Sequence, residues 1–407
     1  MTRKAGWTWI AVAALLLAAA GWAWRAGALH GAAGTDGSRA GVWAARAEAA
    51  QTALDGAFWD PKRRLYNNAA PCILQMCTDP FNYWWLAHAA DVLKDGYERT
   101  GEAKYAERLA SLYDGLLARN AEVWPNDYYD DMAWMGLAWL RAFDATGEPR
   151  YKDAALTLWA DIRGGWNDET GGGIAWRKEQ TDYKNTPANA PSVILAARLY
   201  ERFHDPEDLS WARRIYEWES RTLVDPDTGF VWDGINRTGD GAIDEAWQFS
   251  YNQGVYIGAA VELYRATNDE AYLVSARRTA DAAAAVLAGG PAGLLPSEGD
   301  GDGALFKGVF VRYMGELIEA DGASSGRAKL LLANASRLWT DGQAAGRSEG
   351  ESANKSNGGS EGDTKRNALF GPAWSQPPET VVELSADLSG VMLLETVARL
   401  ERAGLLK

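Results

Sequence analysis

Histidine, cysteine and clustered basic residues are all scarce in this chain. Its 407 residues include three histidines, His30, His88 and His204, and two cysteines, Cys72 and Cys77. Because these side chains supply most zinc ligands, we expect no metal site and no cofactor. The formal net charge is −14, and the lysines and arginines form no cluster. Nucleic acid is therefore not an expected partner, because phosphate binding depends on clustered positive charge.

The N-terminus has the features of an export signal. Arg3 and Lys4 precede an apolar stretch over 5–24, and small residues follow at 26–28. A positive start and an Ala-x-Ala sequence are typical of a cleaved signal peptide, and the apolar stretch is also long enough for a membrane anchor. We therefore expect a signal peptide or anchor at 1–28, a linker at 29–42, and a protein that is secreted or anchored at the cell surface.

The two cysteines are close together, with four residues between Cys72 and Cys77. In an oxidising compartment they can close a small disulfide loop, and the alternative is two unrelated thiols. We favour the disulfide.

Two kinds of predicted helix alternate from about residue 43 to the C-terminus. One kind is apolar on nearly all sides, at 81–90, 132–140, 191–199, 254–261, 304–318 and 384–400. The other kind is charged on one face, at 103–119, 151–163, 206–221, 270–287 and 328–339. A helix that is apolar all round must be covered all round, whereas an amphipathic helix faces water. The alternation predicts an inner and an outer ring of helices.

The connections between these helices repeat as well. One pattern recurs in YERTGEAKY (97–105), FDATGEPRY (143–151) and YRATNDEAY (264–272), with a weaker copy in YERFHDPED (200–208). Each copy joins a Gly, Asn or Asp at a helix end to a charged first turn of the next helix, which favours a tight helical hairpin. With a helix near 43–57, six hairpins and twelve helices predict an all-α fold, an (α/α)6 barrel over 43–407. An open solenoid is the structural alternative, and we expect a monomer.

Longer segments separate the hairpins. Four of them are rich in Gly, Asn and Asp, at 59–79, 164–188, 225–245 and 289–303. We expect some to form short β-hairpins and, at one end of the inner ring, to frame a cleft. The stretch 348–366 has almost no apolar residues, which predicts a disordered surface insertion before the last helix.

Tryptophan is abundant, with 20 residues. Flat rings with a polar edge stack on sugars and line clefts, although many of them fill the core of a large helical protein instead. Several Trp and Tyr side chains fall in predicted loops, namely Trp124, Tyr128, Tyr129, Trp166, Trp176, Tyr183 and Trp232.

An adjacent pair of acids, Asp130 and Asp131, opens the apolar run 132–140. Charge is costly at the start of a buried helix unless it is used. Neighbouring side chains of a first turn point about 100° apart, so two carboxyls can approach the roughly 5 Å that a retaining glycosidase needs. Burial and repulsion would raise one pKa while the helix N-terminus favours an ionised partner, which supplies an acid and a nucleophile. The alternative is a helix cap with a first-turn charge.

Several segments carry a more specific resemblance. The central one is YYDDMAWMGLAWLRA (128–142), and the others are FNYWWLAH (81–88), GGGIAW (171–176), KNTPAN (184–189), AARLY (196–200), WQFSYNQG (247–254) and FKGVFVRY (306–313). In this order they resemble glycoside hydrolase family 76, the endo-α-1,6-mannanases, over nearly everything from residue 43 onward. The departures are the insertion 348–366 and Thr186-Pro-Ala, where the family often has a small residue and Ser before Asn. Neither departure touches the aspartate pair.

This resemblance implies an (α/α)6 fold and a retaining, endo-acting hydrolase that cleaves α-1,6-mannosidic linkages in mannan polysaccharide or oligosaccharide. It also implies roles for the pair. Asp130 would be the nucleophile that forms a glycosyl-aspartate, and Asp131 would protonate the leaving oxygen and then activate water. This mechanism requires no metal.

Substrate contacts are expected around the pair. Asn252 and Gln253 begin an apolar helix and either bind sugar hydroxyls or cap the helix. Asp233, in a long loop, is a hydroxyl ligand or an Asp-Gly turn residue. Further candidates are Asn189, Lys184, Tyr129 and the stacking platforms Trp85, Trp134 and Trp176, although the helical positions of Trp85 and Trp134 favour the core. Lys307 and Arg312, within an apolar helix, pair with acids near the barrel centre or extend to its rim.

Other functions fit the same residues. A cell-wall transglycosylase would move α-mannan glycans rather than hydrolyse them. A non-catalytic surface glycan-binding protein would keep the aromatic cleft without the chemistry, although the intact pair Asp130 and Asp131 disfavours it. A sugar epimerase or unsaturated-uronide hydrolase on a similar barrel is a further alternative. The scarcity of histidine disfavours epimerases that use a histidine pair.

Overall fold

Helices dominate the computed structural model, which describes residues 41–72, 77–290, 293–322, 326–345 and 366–406. The twelve α-helices of these ranges are α1 (Val42–Phe58), α2 (Tyr83–Thr100), α3 (Ala103–Arg119), α4 (Tyr129–Thr146), α5 (Pro149–Arg163), α6 (Thr186–Phe203), α7 (Pro206–Thr222), α8 (Ser250–Thr267), α9 (Glu270–Ala288), α10 (Asp302–Asp321), α11 (Gly326–Asp341) and α12 (Leu384–Arg402).

The six even-numbered helices form a closed inner ring. Each of α2, α4, α6, α8 and α10 packs against the next even-numbered helix, and α12 packs back against α2. The odd-numbered helices cover the outside, with α3, α5, α7 and α9 each packed on the inner helix that precedes it in the chain and α1 packed on α12. The prediction of an (α/α)6 barrel is confirmed, and the open solenoid is wrong because the last inner helix contacts the first.

Burial follows the two hydrophobic patterns. Helix α4 is buried without interruption from Met132 to Leu140, and α6 from Thr186 to Leu199. Outer helix α7 buries only one side, with Ala212, Ile215 and Trp218 inside and most of its charged residues outside. An inner helix has neighbours on every side, which is why its sequence can be apolar all round.

The short connections share one backbone conformation. Inner helices α2, α4, α6, α8 and α10 end at Gly101, Gly147, His204, Asn268 and Gly322, each left-handed with φ between 57° and 73°. His204, in the weaker copy of the repeat, adopts the conformation that Gly and Asn adopt in the others. Asp205 and Asp269 then cap α7 and α9, each accepting a hydrogen bond from a backbone N–H of the first turn. These turns bring the chain straight back, so the longer connections lie at the opposite end of the barrel.

The longer connections carry short antiparallel strands. These are β1 (Trp59–Asp60), β2 (Leu65–Tyr66), β3 (Ala69–Ala70), β4 (Ala175–Arg177), β5 (Gln180–Asn185), β6 (Gly234–Ile235), β7 (Gln343–Ala345), β8 (Arg366–Phe370) and β9 (Val382–Glu383). Strands β4, β5 and β6 form a three-stranded sheet, and the pairs β1–β2, β3–β9 and β7–β8 form ribbons. Strand β5 continues directly into α6, so this sheet lies at the end of the barrel where the inner helices begin.

A disulfide joins Cys72 to Cys77 in the connection between α1 and α2. The expected signal peptide or anchor at 1–28 and all but the last two residues of the 29–42 linker lie outside the described residues. The expected insertion at 348–366 also lies outside them, apart from Arg366, where β8 begins. Among the residues that are described, no helix has the length and apolar character needed to cross a bilayer.

Candidate active site

The start of helix α4 is built by the turn that precedes it. Asn126 Oδ1 accepts a hydrogen bond from the backbone N–H of Tyr128 at 2.9 Å, and Asn126 Nδ2 donates to Asp131 Oδ2 at 3.0 Å. Tyr128 is the residue at the helix cap, so Asp130 and Asp131 fall in the first turn. The cap alternative therefore does not describe them, since neither residue occupies the cap position.

A cleft of about 470 Å³ opens at this end of the barrel. Five of the six inner helices contribute residues near their N-termini, among them Trp84 from α2, Asp130 and Asp131 from α4, Tyr251 from α8 and Asp302 from α10. The rest of the lining is largely aromatic, from Phe81, Tyr83, Tyr128, Trp134, Trp176, Tyr183, Trp247, Phe249 and Phe306. Rings of this kind stack on the apolar faces of sugars.

Strand β4 brings Trp176 against the acid pair. Arg177 is bridged to Tyr128, and the backbone N–H of Lys178 donates to the carbonyl of Asp127 at 2.9 Å. These contacts fix β4 beside the start of α4, where Trp176 Nε1 donates to Asp130 Oδ2 at 2.9 Å. Asp130 Oδ1 accepts a second bond, from the backbone N–H of Asp131, also at 2.9 Å. The orientation of the Asp130 carboxyl is thus set from both sides.

The two carboxyls have different proton affinities. Burial among the cleft rings raises the pKa of Asp130 to about 7, although the bonds from Asp131 N–H and from Trp176 oppose this rise. Burial and the charge of Asp130 raise the pKa of Asp131 well above its ordinary value, and only Asn126 opposes this. Asp130 therefore ionises around neutral pH, while Asp131, which also feels the charge of Asp130, keeps its proton to higher pH. That is the protonation state an acid beside a nucleophile needs.

A third carboxyl in the cleft belongs to Asp302, the first residue of α10. Its Oδ1 accepts hydrogen bonds from Trp84 Nε1 at 2.9 Å and from Trp85 Nε1 at 2.7 Å. The charge of Asp302 also contributes to the raised pKa of both Asp130 and Asp131.

Asp233 lies at the centre of a hydrogen-bonded cluster on another wall. It is buried, and it accepts bonds from Asn252 Nδ2 at 2.9 Å, Tyr183 Oη at 3.0 Å and Tyr251 Oη at 3.2 Å. Arg237 Nη2 is a fourth donor. Asp233 therefore lines the cleft as expected, with both oxygens already accepting hydrogen bonds from the protein. Asn252 is fully buried and does not line the cleft, so its bond to Asp233 holds that carboxylate in place.

Asn189 and Gln253 have a different role from the expected one. Both are fully buried, and neither lines the cleft. Asn189 bonds the backbone of Ile174, accepting from its N–H at 2.8 Å and donating to its carbonyl at 2.9 Å. Gln253 bonds Val231 in the same way, at 2.9 Å and 2.6 Å. Because their amides are used on backbone, the expectation that these two residues contact sugar is corrected: they hold the cleft loops to the inner helices.

Lys184 and Tyr129 are buried beside the cleft rather than lining it. Burial lowers the pKa of Lys184 to about 8. Of the helical tryptophans, Trp134 lines the cleft, whereas Trp85 does not line it and donates a hydrogen bond to Asp302. A sugar-contact role for Lys184, Tyr129 or Trp85 is therefore not supported by their positions.

The two cationic side chains of the apolar helix α10 have different partners. Arg312 pairs with acids in the barrel interior, with Nη1 2.8 Å from Asp91 and Nη2 2.9 Å from Asp95. Lys307 instead donates to the carbonyl of Pro372 at 2.8 Å and lies 4.2 Å above the Trp374 ring. Acid pairing, one of the two expected arrangements, holds for Arg312, whereas Lys307 has no acid within ion-pair distance among the described residues.

Sequence reasoning missed several cleft residues, namely Trp84, Arg237, Trp247, Tyr251, Asp302 and Phe306. Three of them, Trp84, Tyr251 and Asp302, lie in the first turns of inner helices, and Phe306 lies in the second turn of α10. Once the inner ring is recognised, a position near the start of an inner helix is the signal that finds these four residues. Arg237 and Trp247 belong to the long connection before α8. Trp247 opens the family-like segment WQFSYNQG (247–254), whereas no sequence signal marks Arg237.

A family model for glycosyl hydrolase family 76 matches residues 42–372. The chain belongs to glycosyl hydrolase family 76. The segments that resembled the family therefore identify it correctly, and they include the aspartate pair.

Two solved structures are similar over most of this chain. The α-1,6-mannanase GH76A of Salegentibacter sp. HEL1_6 is 39% identical with a TM-score of 0.78, covering 88% of this chain and 99% of its own. An inactive variant of that enzyme, with two successive aspartates replaced by alanine, forms a complex with α-1,6-mannotetrose. The Lin0763 protein of Listeria innocua is 38% identical with a TM-score of 0.79, covering 89% of this chain and 98% of its own.

Curated relatives in the family are more distant. The mannan endo-1,6-α-mannosidase DCW1 of Saccharomyces cerevisiae is 25% identical over 59% of this chain and 58% of its own length. The DCW1 protein of Candida glabrata is 26% identical over 48% of each chain. The chain thus spans about half the length of the curated relatives it matches.

Proposed function

We propose that this protein is an endo-acting glycosidase that hydrolyses α-1,6-mannosidic linkages in mannan with retention of configuration. The observation that carries the proposal is the adjacent pair Asp130 and Asp131 in an aromatic cleft, where burial raises the pKa of both carboxyls. In a related α-1,6-mannanase, a variant lacking two successive aspartates is inactive. Asp130 and Asp131 are such a pair in this chain.

The proposed reaction has two steps. In the first, Asp131 protonates the glycosidic oxygen while Asp130 attacks the anomeric carbon, so that the leaving glycan departs and a glycosyl-aspartate forms. In the second, Asp131 takes a proton from water, which attacks the same carbon and releases Asp130. The bond from Trp176 supports this order, since a donor aimed at Asp130 favours its ionised form.

The proposed substrate is a neutral mannan polysaccharide or oligosaccharide. Support comes from the aromatic lining, and from the α-1,6-mannotetrose bound by the related mannanase. Arg237 is the cleft's cation, and it is already paired with Asp233 and Asp244. The acids in the lining therefore exceed the available positive charge, which disfavours anionic glycans.

Digestion of unbranched α-1,6-mannan tests this proposal. We expect the wild-type protein to release oligosaccharides whose new reducing ends form first as the α anomer, measured by proton NMR. Asp130→Ala and Asp131→Ala should each lose at least about a hundredfold in kcat, the usual scale for such a group. Equal fragment release by all three proteins would exclude the assigned roles, and initial β anomer would exclude retention.

The same digest separates hydrolysis from transfer. A transglycosylase would pass the glycan from Asp130 to another mannan chain, which yields products longer than the starting oligosaccharide. A glycan-binding protein without chemistry would leave the substrate unchanged. We expect only shorter products.

We also propose that the protein is exported. Support comes from the basic and apolar N-terminal sequence and from the Cys72–Cys77 disulfide, which suits an oxidising compartment. Cell fractionation with N-terminal sequencing of the mature protein tests both export and cleavage. Recovery of the full-length chain from the cytosol would contradict it.

A further inference from the structure

Asp302 is held in an unusual way for a carboxylate in a cleft. Two indole N–H groups, from the adjacent residues Trp84 and Trp85, donate to the same oxygen, Oδ1. The other oxygen, Oδ2, has no hydrogen-bond donor within the described residues. One oxygen is thus fixed by the protein while the other remains available to a ligand.

The hydrogen bonds of Asp302 also connect two inner helices that are not neighbours in the ring. Trp84 and Trp85 belong to α2 and Asp302 belongs to α10, and α12 lies between these helices in the inner ring. Helix α12 contributes no residue to the cleft lining. The two indole bonds therefore join the cleft walls across the one inner helix that does not reach the cleft.

Among the described residues, the charge of Asp302 has no counter-ion. No lysine or arginine of the described residues lies within ion-pair distance of it, and Arg237 is paired with Asp233 and Asp244. The tyrosines facing the acid pair, Tyr83, Tyr183 and Tyr251, have raised pKa values and are neutral. Asp233, Arg237 and Asp302 are therefore the charged groups that face Asp130 and Asp131, and Asp302 is the uncompensated one.

We propose that Asp302 is a third functional carboxylate of this site, binding a mannoside hydroxyl through Oδ2 and acting on the Asp130–Asp131 pair through its charge. The hydroxyl contact rests on the proposed function, whereas the electrostatic effect does not. A negative charge across the cleft disfavours ionisation of both aspartates, so it helps Asp131 to keep the proton that the first step requires.

Asp302→Asn tests the proposal because it removes the charge and keeps the shape. We expect kcat/KM on α-1,6-mannotetrose to fall about ten- to a hundredfold, the range for a hydrogen bond to a charged group. Both limbs of the pH profile should move to lower pH, by about half to one pH unit, because loss of a nearby negative charge eases ionisation of the pair. Thermal melting at each pH confirms that the variant is folded.

Two further variants keep the result interpretable. Asp300→Asn is the matched control, since Asp300 is exposed two residues earlier and does not line the cleft, and we expect it to match the wild type. Trp85→Phe removes one donor to Oδ1 and leaves the charge of Asp302. Trp85→Phe should lower kcat/KM by a smaller factor than Asp302→Asn does, and it should not shift either limb of the pH profile.

A titration without substrate separates this proposal from the proposed function. Carbon-13 NMR of aspartate-labelled protein follows the pair in wild-type protein and in Asp302→Asn, whether or not mannan is cleaved. A downward shift in the variant supports the electrostatic role even if the substrate proposal fails. Identical titrations, or an Asp302→Asn profile that matches Asp300→Asn, would overturn it.

Discussion

Two sets of buried carboxyls in the inner ring have pKa values shifted in opposite directions, namely the aspartate pair of the cleft and the acids Asp95 and Glu316 of a deep network with arginines. In the cleft, where the inner helices begin, the pKa values of Asp130 and Asp131 are raised. In the C-terminal halves of the same helices, burial alone would also raise the pKa of Asp95 and Glu316, yet neighbouring arginines hold both values below the ordinary range. Carboxyl groups are thus available for proton transfer in the cleft and are held ionised in the deep network.

The difference lies in the partners. Within the deep network, Arg198 lies 2.8 Å from Glu262 and 2.9 Å from Glu316, and all three side chains are at least 92% buried. In the cleft, Asp130 and Asp131 receive only neutral donors, from Trp176, Asn126 and a backbone N–H. A guanidinium favours the charged carboxyl strongly, whereas a neutral donor offsets only part of the cost of burial. Burial therefore does not by itself identify a catalytic acid.

The largest expected effect comes from breaking the deep network. Arg198→Met leaves Glu262 and Glu316 buried, with Arg265 as their remaining partner. We expect the free energy of unfolding to fall by about 3–5 kcal/mol, because a buried charge without its partner is strongly destabilising. Urea denaturation followed by circular dichroism measures this change.

Arg202→Met is the matched control on the same helix. Arg202 pairs with Asp144 one turn further along α6, where both side chains are over a quarter exposed. A pair in contact with solvent contributes at most about 1 kcal/mol. If the two variants lose equal stability, the distinction between the deep network and the surface fails.

Much of the barrel could be predicted from the sequence because its signals are local. All-round apolar helices, amphipathic helices and repeated Gly or Asn turns each follow from residues within one hairpin. Ring closure was predicted only from the count of six hairpins, since the contact between α12 and α2, almost 300 residues apart, leaves no local signal. His204 shows the limit of the turn signal, because its left-handed backbone replaces the expected Gly or Asn.

The site was predictable only in part. Asp130, Asp131, Trp176 and Asp233 line the cleft as expected. Gln253 was expected to bind sugar hydroxyls because it begins an apolar inner helix, and Asn189 because it follows the Gly-rich loop, but loop backbone supplies the partners of both amides. Which partner an amide finds depends on the path of a distant loop, and no local pattern records that path.

A smaller effect is expected from neutralising the cleft pair. The pKa values of Asp130 and Asp131 are higher in the folded protein than in the unfolded chain, so their stabilising contribution is full at low pH and is lost as pH rises through the folded pKa values. The double variant Asp130→Asn with Asp131→Asn should therefore be more stable than wild type at pH 8 by on the order of 1–2 kcal/mol, limited by the solvent in the cleft. Near pH 4 the difference should vanish.

Thermal unfolding of both proteins from pH 4 to pH 8 measures this difference. The acids of the deep network should contribute to stability with the opposite pH dependence. The pKa of Glu316 is lowered, so its contribution to the free energy of unfolding is present at high pH and is lost as pH falls through the folded pKa. A stability gap between wild type and the double variant that is constant across this range would contradict the raised pKa values of the pair.

The smallest effect is expected at Glu219, a buried carboxyl that has no arginine partner among the described residues and does not line the cleft. It lies fully buried near the end of outer helix α7, and no cation of the described residues is within ion-pair distance. Burial raises its pKa well above the ordinary value. Glu219→Gln should therefore raise the free energy of unfolding by about 1 kcal/mol at neutral pH, and by more as pH increases, because the amide carries no charge to bury.

Glu217→Gln, on the exposed side of the same helix, should leave stability unchanged. A loss of stability in Glu219→Gln would mean that the charged form of this carboxyl is used, and Glu219 would then belong with the paired acids of the interior.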